Sequence, residues 1–219
     1  MIPISDFIDH TLLGPTASET DIRKICEEAW IHQFKAICVA PSYVTYAVEM
    51  LEFCPVKIEI ATVIGFPFGY STTRSKVSEA SDALQNGATE LDVVMNISRF
   101  KSMAYLSVRE ELRMLSERTH EKDALLKVIV ETTFLDSFEL YTAAEICAES
   151  GADFMVTATG MAGNHSDEET VRKLKMILPP HVRIKAAGEI LTHAQARAFI
   201  DAGASRIGTA SGISIVSEL

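Results

Sequence analysis

Eight short apolar segments, each followed by an amphipathic stretch, constrain what this chain can fold into more than any other feature. Seven are rich in Val, Ile and Thr, at residues 35–40, 57–64, 90–96, 125–132, 154–159, 183–188 and 206–210, and a weaker eighth lies at 7–12. Most are apolar almost without interruption, the pattern of strands buried on both faces of a parallel sheet rather than on one. Between them run amphipathic helical stretches such as 18–31, opened by Ser18 with an acidic first turn, and 71–86, which ends at Gly87. Three helix exits repeat one phrase, Asn86-Gly87-Ala88-Thr89, Ser150-Gly151-Ala152-Asp153 and Asp201-Ala202-Gly203-Ala204, each running directly into a strand. A glycine free to take the left-handed C-cap before a tight turn accounts for it.

An open doubly wound sheet and a closed barrel both accommodate that order. No G-x-G-x-x-G follows the first strand and no G-x-x-x-x-G-K-[ST] occurs anywhere, so the marks of an open nucleotide-binding sheet are missing. The expected fold is therefore α/β, a closed (β/α)8 TIM barrel, and 219 residues suit a single domain spanning 1–219.

The formal net charge of −10 argues against nucleic acid and anionic membrane as partners, since both need a basic face that releases counterions. A small-molecule partner is expected. No apolar run approaches the roughly 18 residues of a membrane span, and the first residues carry no basic, then apolar leader, so a cytoplasmic location is expected. Cys26, Cys38, Cys54 and Cys147 form no C-x-x-C pair, which predicts reduced thiols rather than disulfides or a zinc site. His10 has no second histidine at ligand spacing, so no metal and no cofactor are expected.

In a barrel the chemistry belongs to the C-terminal strand ends and the loops after them. Polar groups on or just after the predicted strands are Asp9, His10, Asp92, Asn96, Lys127, Glu131, Thr132, Thr157, Thr159, Lys185 and Ser211. Charge inside a packed barrel is costly unless paired or used. Asp92, Lys127 and Lys185 therefore carry two readings: a buried ion pair that fixes the strands, or chemistry. A lysine beside a second cation in a partly desolvated pocket has a lowered pKa, as an amine nucleophile for carbonyl substrates requires, and a neighbouring Asp can move protons. Gly188 after Lys185, and Gly208-Thr209-Ala210-Ser211-Gly212 after the eighth strand, are either simple turns or an anion site of the kind barrels build there.

Several motifs, in order, make the whole chain resemble the deoxyribose-phosphate aldolase family. They are Ile8-Asp9-His10-Thr11-Leu12-Leu13, Phe34-Lys35-Ala36-Ile37-Cys38-Val39, Ala61-Thr62-Val63-Ile64-Gly65-Phe66-Pro67, Gly87-Ala88-Thr89-Glu90-Leu91-Asp92, Leu126-Lys127-Val128-Ile129-Val130-Glu131-Thr132 and Gly203-Ala204-Ser205-Arg206-Ile207-Gly208-Thr209. The resemblance implies a metal-free class I aldolase that cleaves 2-deoxyribose 5-phosphate reversibly to acetaldehyde and glyceraldehyde 3-phosphate through a lysine Schiff base, with a homodimer as the implied assembly. It makes Asp92 the proton-transfer group and Lys185 the lysine that tunes the nucleophile. Asp9 supports the site, Thr159 contacts substrate, and Gly188, Ser211 and Gly212 hold phosphate.

Where the family carries Lys-Thr-Ser-Thr-Gly-Phe on the sixth strand, this chain has Val156-Thr157-Ala158-Thr159-Gly160-Met161; where it carries Lys-Ala-Ser-Gly-Gly-Ile on the seventh, this chain has Lys185-Ala186-Ala187-Gly188-Glu189-Ile190. The Schiff-base position is Val156, and Glu189 places a carboxylate beside the phosphate pocket. Three readings follow. Lys185, or Lys127, supplies the amine; or the barrel hosts a divergent carbon–carbon lyase for another small carbonyl compound; or it is a catalytically silent sugar-phosphate-binding homologue.

Overall fold

A computed structural model describes residues 2–163 and 167–217. Within it eight parallel strands close on one another in sequence order: β1 (Ile8–Leu12), β2 (Ala36–Val39), β3 (Glu59–Ile64), β4 (Glu90–Val94), β5 (Leu125–Ile129), β6 (Phe154–Val156), β7 (Arg183–Ala187) and β8 (Arg206–Thr209). The helices are α1 (Glu19–His32), α2 (Val44–Leu51), α3 (Thr73–Gln85), α4 (Ile97–Lys101), α5 (Tyr105–His120), α6 (Ser137–Glu149), α7 (Glu168–Ile177), α8 (His193–Ala202) and α9 (Gly212–Ser217). The fold is the TIM barrel expected from the alternation. No helix among the described residues is long and apolar enough to cross a membrane.

Local chemistry sets the helix ends. Ser18 caps α1 through a reciprocal box with Asp21, Asp136 caps α6 with Glu139, and Thr192 caps α8 with Gln195. Gly203 ends α8 in the left-handed region at φ 118°, as the repeated exit phrase predicted. The strands are shorter than their apolar runs. The run 125–132 leaves the sheet after Ile129, because Glu131 turns left-handed (φ 53°) into a 3-10 turn over Thr132–Phe134, and 154–159 leaves it after Val156. Both departures fall at the C-terminal mouth.

Strand alternation splits the interior in two. Each strand sends an aliphatic side chain outward into the core beneath the helices: Ile8, Ile37, Ile60, Leu91, Leu126, Met155, Ile184 and Ile207, meeting residues such as Leu112 of α5 and Leu174 of α7. Full burial of a side chain of that size stabilises by about 1.5–3 kcal/mol. The inward positions hold charge at mid-depth and small apolar clusters above it, with Cys38, Ala61 and Val63 on one side and Val94, Ile129 and Val156 on the other.

Candidate functional site

Three carboxylates and three cations meet inside the barrel. Lys127 Nζ lies 2.8 Å from Asp9, 2.5 Å from Glu90 and 3.2 Å from Asp92. Arg206 Nε lies 2.6 Å from Asp9, and its Nη2 grips both Glu90 oxygens at 2.6 and 2.5 Å. Lys185 Nζ completes the set, 2.7 Å from Asp9 and 2.5 Å from Asp92. All six side chains are buried, and their formal charges cancel, so each lost solvation shell is replaced by opposite charge and hydrogen bonds.

The field inside this cluster follows from the neighbours. Burial alone would raise Asp9, yet Lys127, Lys185 and Arg206 hold it well below the usual carboxylate range. Burial and Lys127 pull Lys185 down, but Asp9 and Asp92 outweigh them and its amine sits above the ordinary lysine value. That overturns the expectation of a lowered lysine pKa from a second nearby cation, because Asp9 and Asp92, at 2.7 and 2.5 Å, act on the amine more strongly than Lys127 does. Burial, with Asp92, pushes the Cys38 thiol up to about 12, so Cys38 is not a thiolate nucleophile.

Above the cluster a cavity of about 200 Å3 opens at the C-terminal mouth. Lys185 and Asp92 form its floor, Val156, Ile129, Val63 and Phe66 its apolar wall, and Thr159, Gly160, Gly188 and Glu189 part of its rim. Val156 and Lys185 are direct neighbours across β6 and β7. Gly208 on β8 makes room for the amine: a methyl group there would stand 2.9 Å from Lys185 Cε. Asp92 Oδ2 receives the Lys185 hydrogen bond, while the buried Oδ1 receives none; its 3.2 Å approach to Lys127 is an ion-pair contact at poor hydrogen-bonding geometry.

Of the residues singled out from sequence, Asp92, Lys185, Thr159 and Gly188 meet around this cavity. Lys127 and Asp9 do not line it. Both have fully buried side chains, bonded to one another at 2.8 Å beneath the floor, so Lys127 is a poor alternative amine and Asp9 reaches the floor directly through Lys185, which it touches at 2.7 Å. Ser211 and Gly212 also stand apart. The lining stops at Ala210, the Ser211 N–H donates to Thr209 Oγ1 at 2.9 Å, and Gly212 packs on His10 and Phe34. Among the described residues no group of three or more His, Cys, Asp or Glu is placed to hold a metal ion.

Glu90, Arg206 and Glu131 were not chosen as site residues from sequence. Glu90 and Arg206 open their strands, where a charge ordinarily reads as the solvated end of a turn. Their one legible signal was spacing: Glu90 stands two residues before Asp92, on the same face of β4. Glu131 follows the apolar run of β5 and takes the left-handed backbone that carries its carboxylate to the end of β6.

Comparison with known proteins agrees with this architecture. The DeoC/LacD family aldolase pattern matches residues 6–218. The deoxyribose-phosphate aldolase of Thermococcus gammatolerans is 44% identical over 213 residues, covering 97% of this chain and 95% of that protein. Among solved structures, the aldolase QR15 superposes with a TM-score of 0.93 at 41% identity, covering 100% of this chain and 96% of its own. The tetrameric deoxyribose phosphate aldolase of Aeropyrum pernix superposes with a TM-score of 0.91 at 31% identity, covering 98% and 90%.

Proposed function

Because the chain belongs to the DeoC/LacD family of aldolases, we propose that it is a carbon–carbon lyase that cleaves 2-deoxyribose 5-phosphate reversibly to acetaldehyde and glyceraldehyde 3-phosphate, with Lys185 as its amine. One observation carries the reading: Lys185 is the lysine that lines the cavity, with Nζ 2.5 Å from an Asp92 carboxylate that lines it too. Proton transfer from the ammonium to Asp92 frees the nitrogen lone pair, which attacks the substrate carbonyl carbon. Asp92 then returns the proton to the departing hydroxyl, and water leaves as the iminium forms. The electron pair of the C2–C3 bond moves toward the iminium and leaves an enamine, while the C3 hydroxyl gives its proton to Asp92 and becomes the carbonyl of glyceraldehyde 3-phosphate. Asp92 passes that proton to the enamine carbon, and water hydrolyses the resulting iminium to free acetaldehyde and Lys185. Val156 keeps the wall beside the amine dry.

The raised Lys185 pKa makes the ammonium the resting form, so the rate is expected to climb with pH through the neutral and mildly alkaline range. A homo-oligomer accompanies this reading, supported by the tetrameric relative from Aeropyrum pernix. The test is an aldehyde-release assay with 2-deoxyribose 5-phosphate. Lys185→Met should abolish cleavage. Cleavage that survives Lys185→Met would exclude Lys185 as the amine.

A second reading has its own supporting observation: the carboxylates of Asp9 and Asp92 that hold the Lys185 charge also oppose its use as a nucleophile. Under that reading the chain binds sugar phosphates without turnover. Thermal stabilisation by 2-deoxyribose 5-phosphate that is unchanged in Lys185→Met, with no aldehyde released by either protein, is its expected signature.

A further inference from the structure

We infer that Glu131 is a positioning residue that turns the Thr159 hydroxyl into an obligate acceptor, so that the cavity recognises its ligand through a hydroxyl which the ligand donates. Glu131 is buried, absent from the cavity lining, and reaches β6 because its backbone is left-handed at φ 53°. One of its oxygens, Oε2, accepts both the Thr159 backbone N–H at 2.9 Å and the Thr159 hydroxyl at 2.6 Å. These two bonds converge on one atom and fix the threonine rotamer. The other oxygen, Oε1, is buried without any partner, so Thr159 is the residue that this carboxylate serves.

A hydroxyl has one proton to give and two lone pairs to offer. The Thr159 proton goes to Glu131, and one lone pair takes the Met161 N–H at 3.1 Å. Of the hydroxyl's hydrogen-bonding capacity only a single lone pair remains, and on this inference that lone pair is what Thr159 offers to the cavity it lines. A phosphate or carbonyl oxygen has nothing to donate there, whereas a sugar hydroxyl has. This deepens the lyase reading, because a hydroxylated aldehyde with its reacting hydroxyl beside the carbon–carbon bond is the ligand class such an acceptor selects.

Equilibrium binding tests the inference separately from turnover. Titration calorimetry would compare 2-deoxyribose 5-phosphate with its two analogues lacking either the 3-hydroxyl or the 4-hydroxyl. In a Lys185→Met background, which forms no imine and cleaves nothing, the chain should bind the parent sugar about tenfold more tightly than one of the analogues, the scale of one lost hydrogen bond. Glu131→Leu should cut that preference to less than about threefold, since the Thr159 hydroxyl without its acceptor is free to donate, whereas Glu131→Gln, whose carbonyl oxygen can take both Thr159 donors, should keep it. Thr159→Val should likewise cut the preference and Thr159→Ser should keep it, whereas a purely structural link would weaken all three sugars equally. Because no imine forms in that background, failure of the lyase reading leaves this result standing. Equal or absent binding of the three sugars in the Lys185→Met background, or an undiminished preference once Glu131→Leu is added, overturns the inference.

Discussion

At the scale of single residues the site is defined by a lysine whose neighbours hold its proton and by an apolar valine in the wall beside it. Val156 and Lys185 are cross-strand partners, so Val156→Lys puts a second ammonium beside the first and opposes the Asp9 and Asp92 carboxylates. If it lowers the Lys185 pKa by one unit, the neutral amine near pH 7 rises about tenfold. Initial-rate assays at pH 7 should show a gain of at least that order. Gly208→Ala acts in the opposite sense: its new methyl falls 2.9 Å from Lys185 Cε and 3.1 Å from Ala187 Cβ. Overpacking of that kind costs about 1–3 kcal/mol, visible as a lower Tm with reduced activity. Glu189 occupies a left-handed backbone at φ 32° and is exposed at the cavity rim. Glu189→Gly should lower KM for the phosphorylated substrate by roughly tenfold, less than an unscreened like-charge pair implies, because solvent screens that rim.

At the scale of elements, the charge cluster ties β1, β4, β5, β7 and β8 together through Asp9, the Glu90 and Asp92 pair, Lys127, Lys185 and Arg206. The ion-pair reading of these residues is what the bonds show, and the uppermost cation, Lys185, also faces the cavity. Lys127→Met removes the cation shared by three carboxylates and should cost about 3–5 kcal/mol in denaturant unfolding, since it strands buried charge. The strand order was legible because parallel strands buried on both faces leave continuous apolar runs, and the start of α1 because Ser18 is an ordinary cap with an acidic first turn after it. The strand ends were not, since 130–132 remain apolar or β-branched around Glu131 while the backbone has already turned. Asp92 and Lys185 stood out as charges within apolar runs. The fact that Lys127 points to the same cluster yet lies beneath the floor depends on depth along the barrel, which period-2 alternation does not encode.

For the whole molecule, the interior charges cancel, so the excess of ten negative charges lies outside the cluster. Stability should respond to pH from both ends. Asp9 is lowered in the fold, so its contribution is complete above the ordinary carboxylate range near 4 and is lost as pH falls below it. Lys185 is raised, so its contribution is complete below the ordinary lysine value near 10.4 and is lost as pH climbs past it. Urea midpoints should therefore form a plateau between those limits, and in Lys185→Met the alkaline fall should begin later. The central claim, an imine at Lys185, is tested most directly by intact-mass and peptide-mapping analysis after incubation with acetaldehyde and borohydride. A reduced two-carbon adduct on Lys185, absent from Lys185→Met and more abundant at pH 9 than at pH 7, is the predicted result. An unmodified Lys185 at both pH values, or an adduct mapped to another lysine that persists in Lys185→Met, would contradict it.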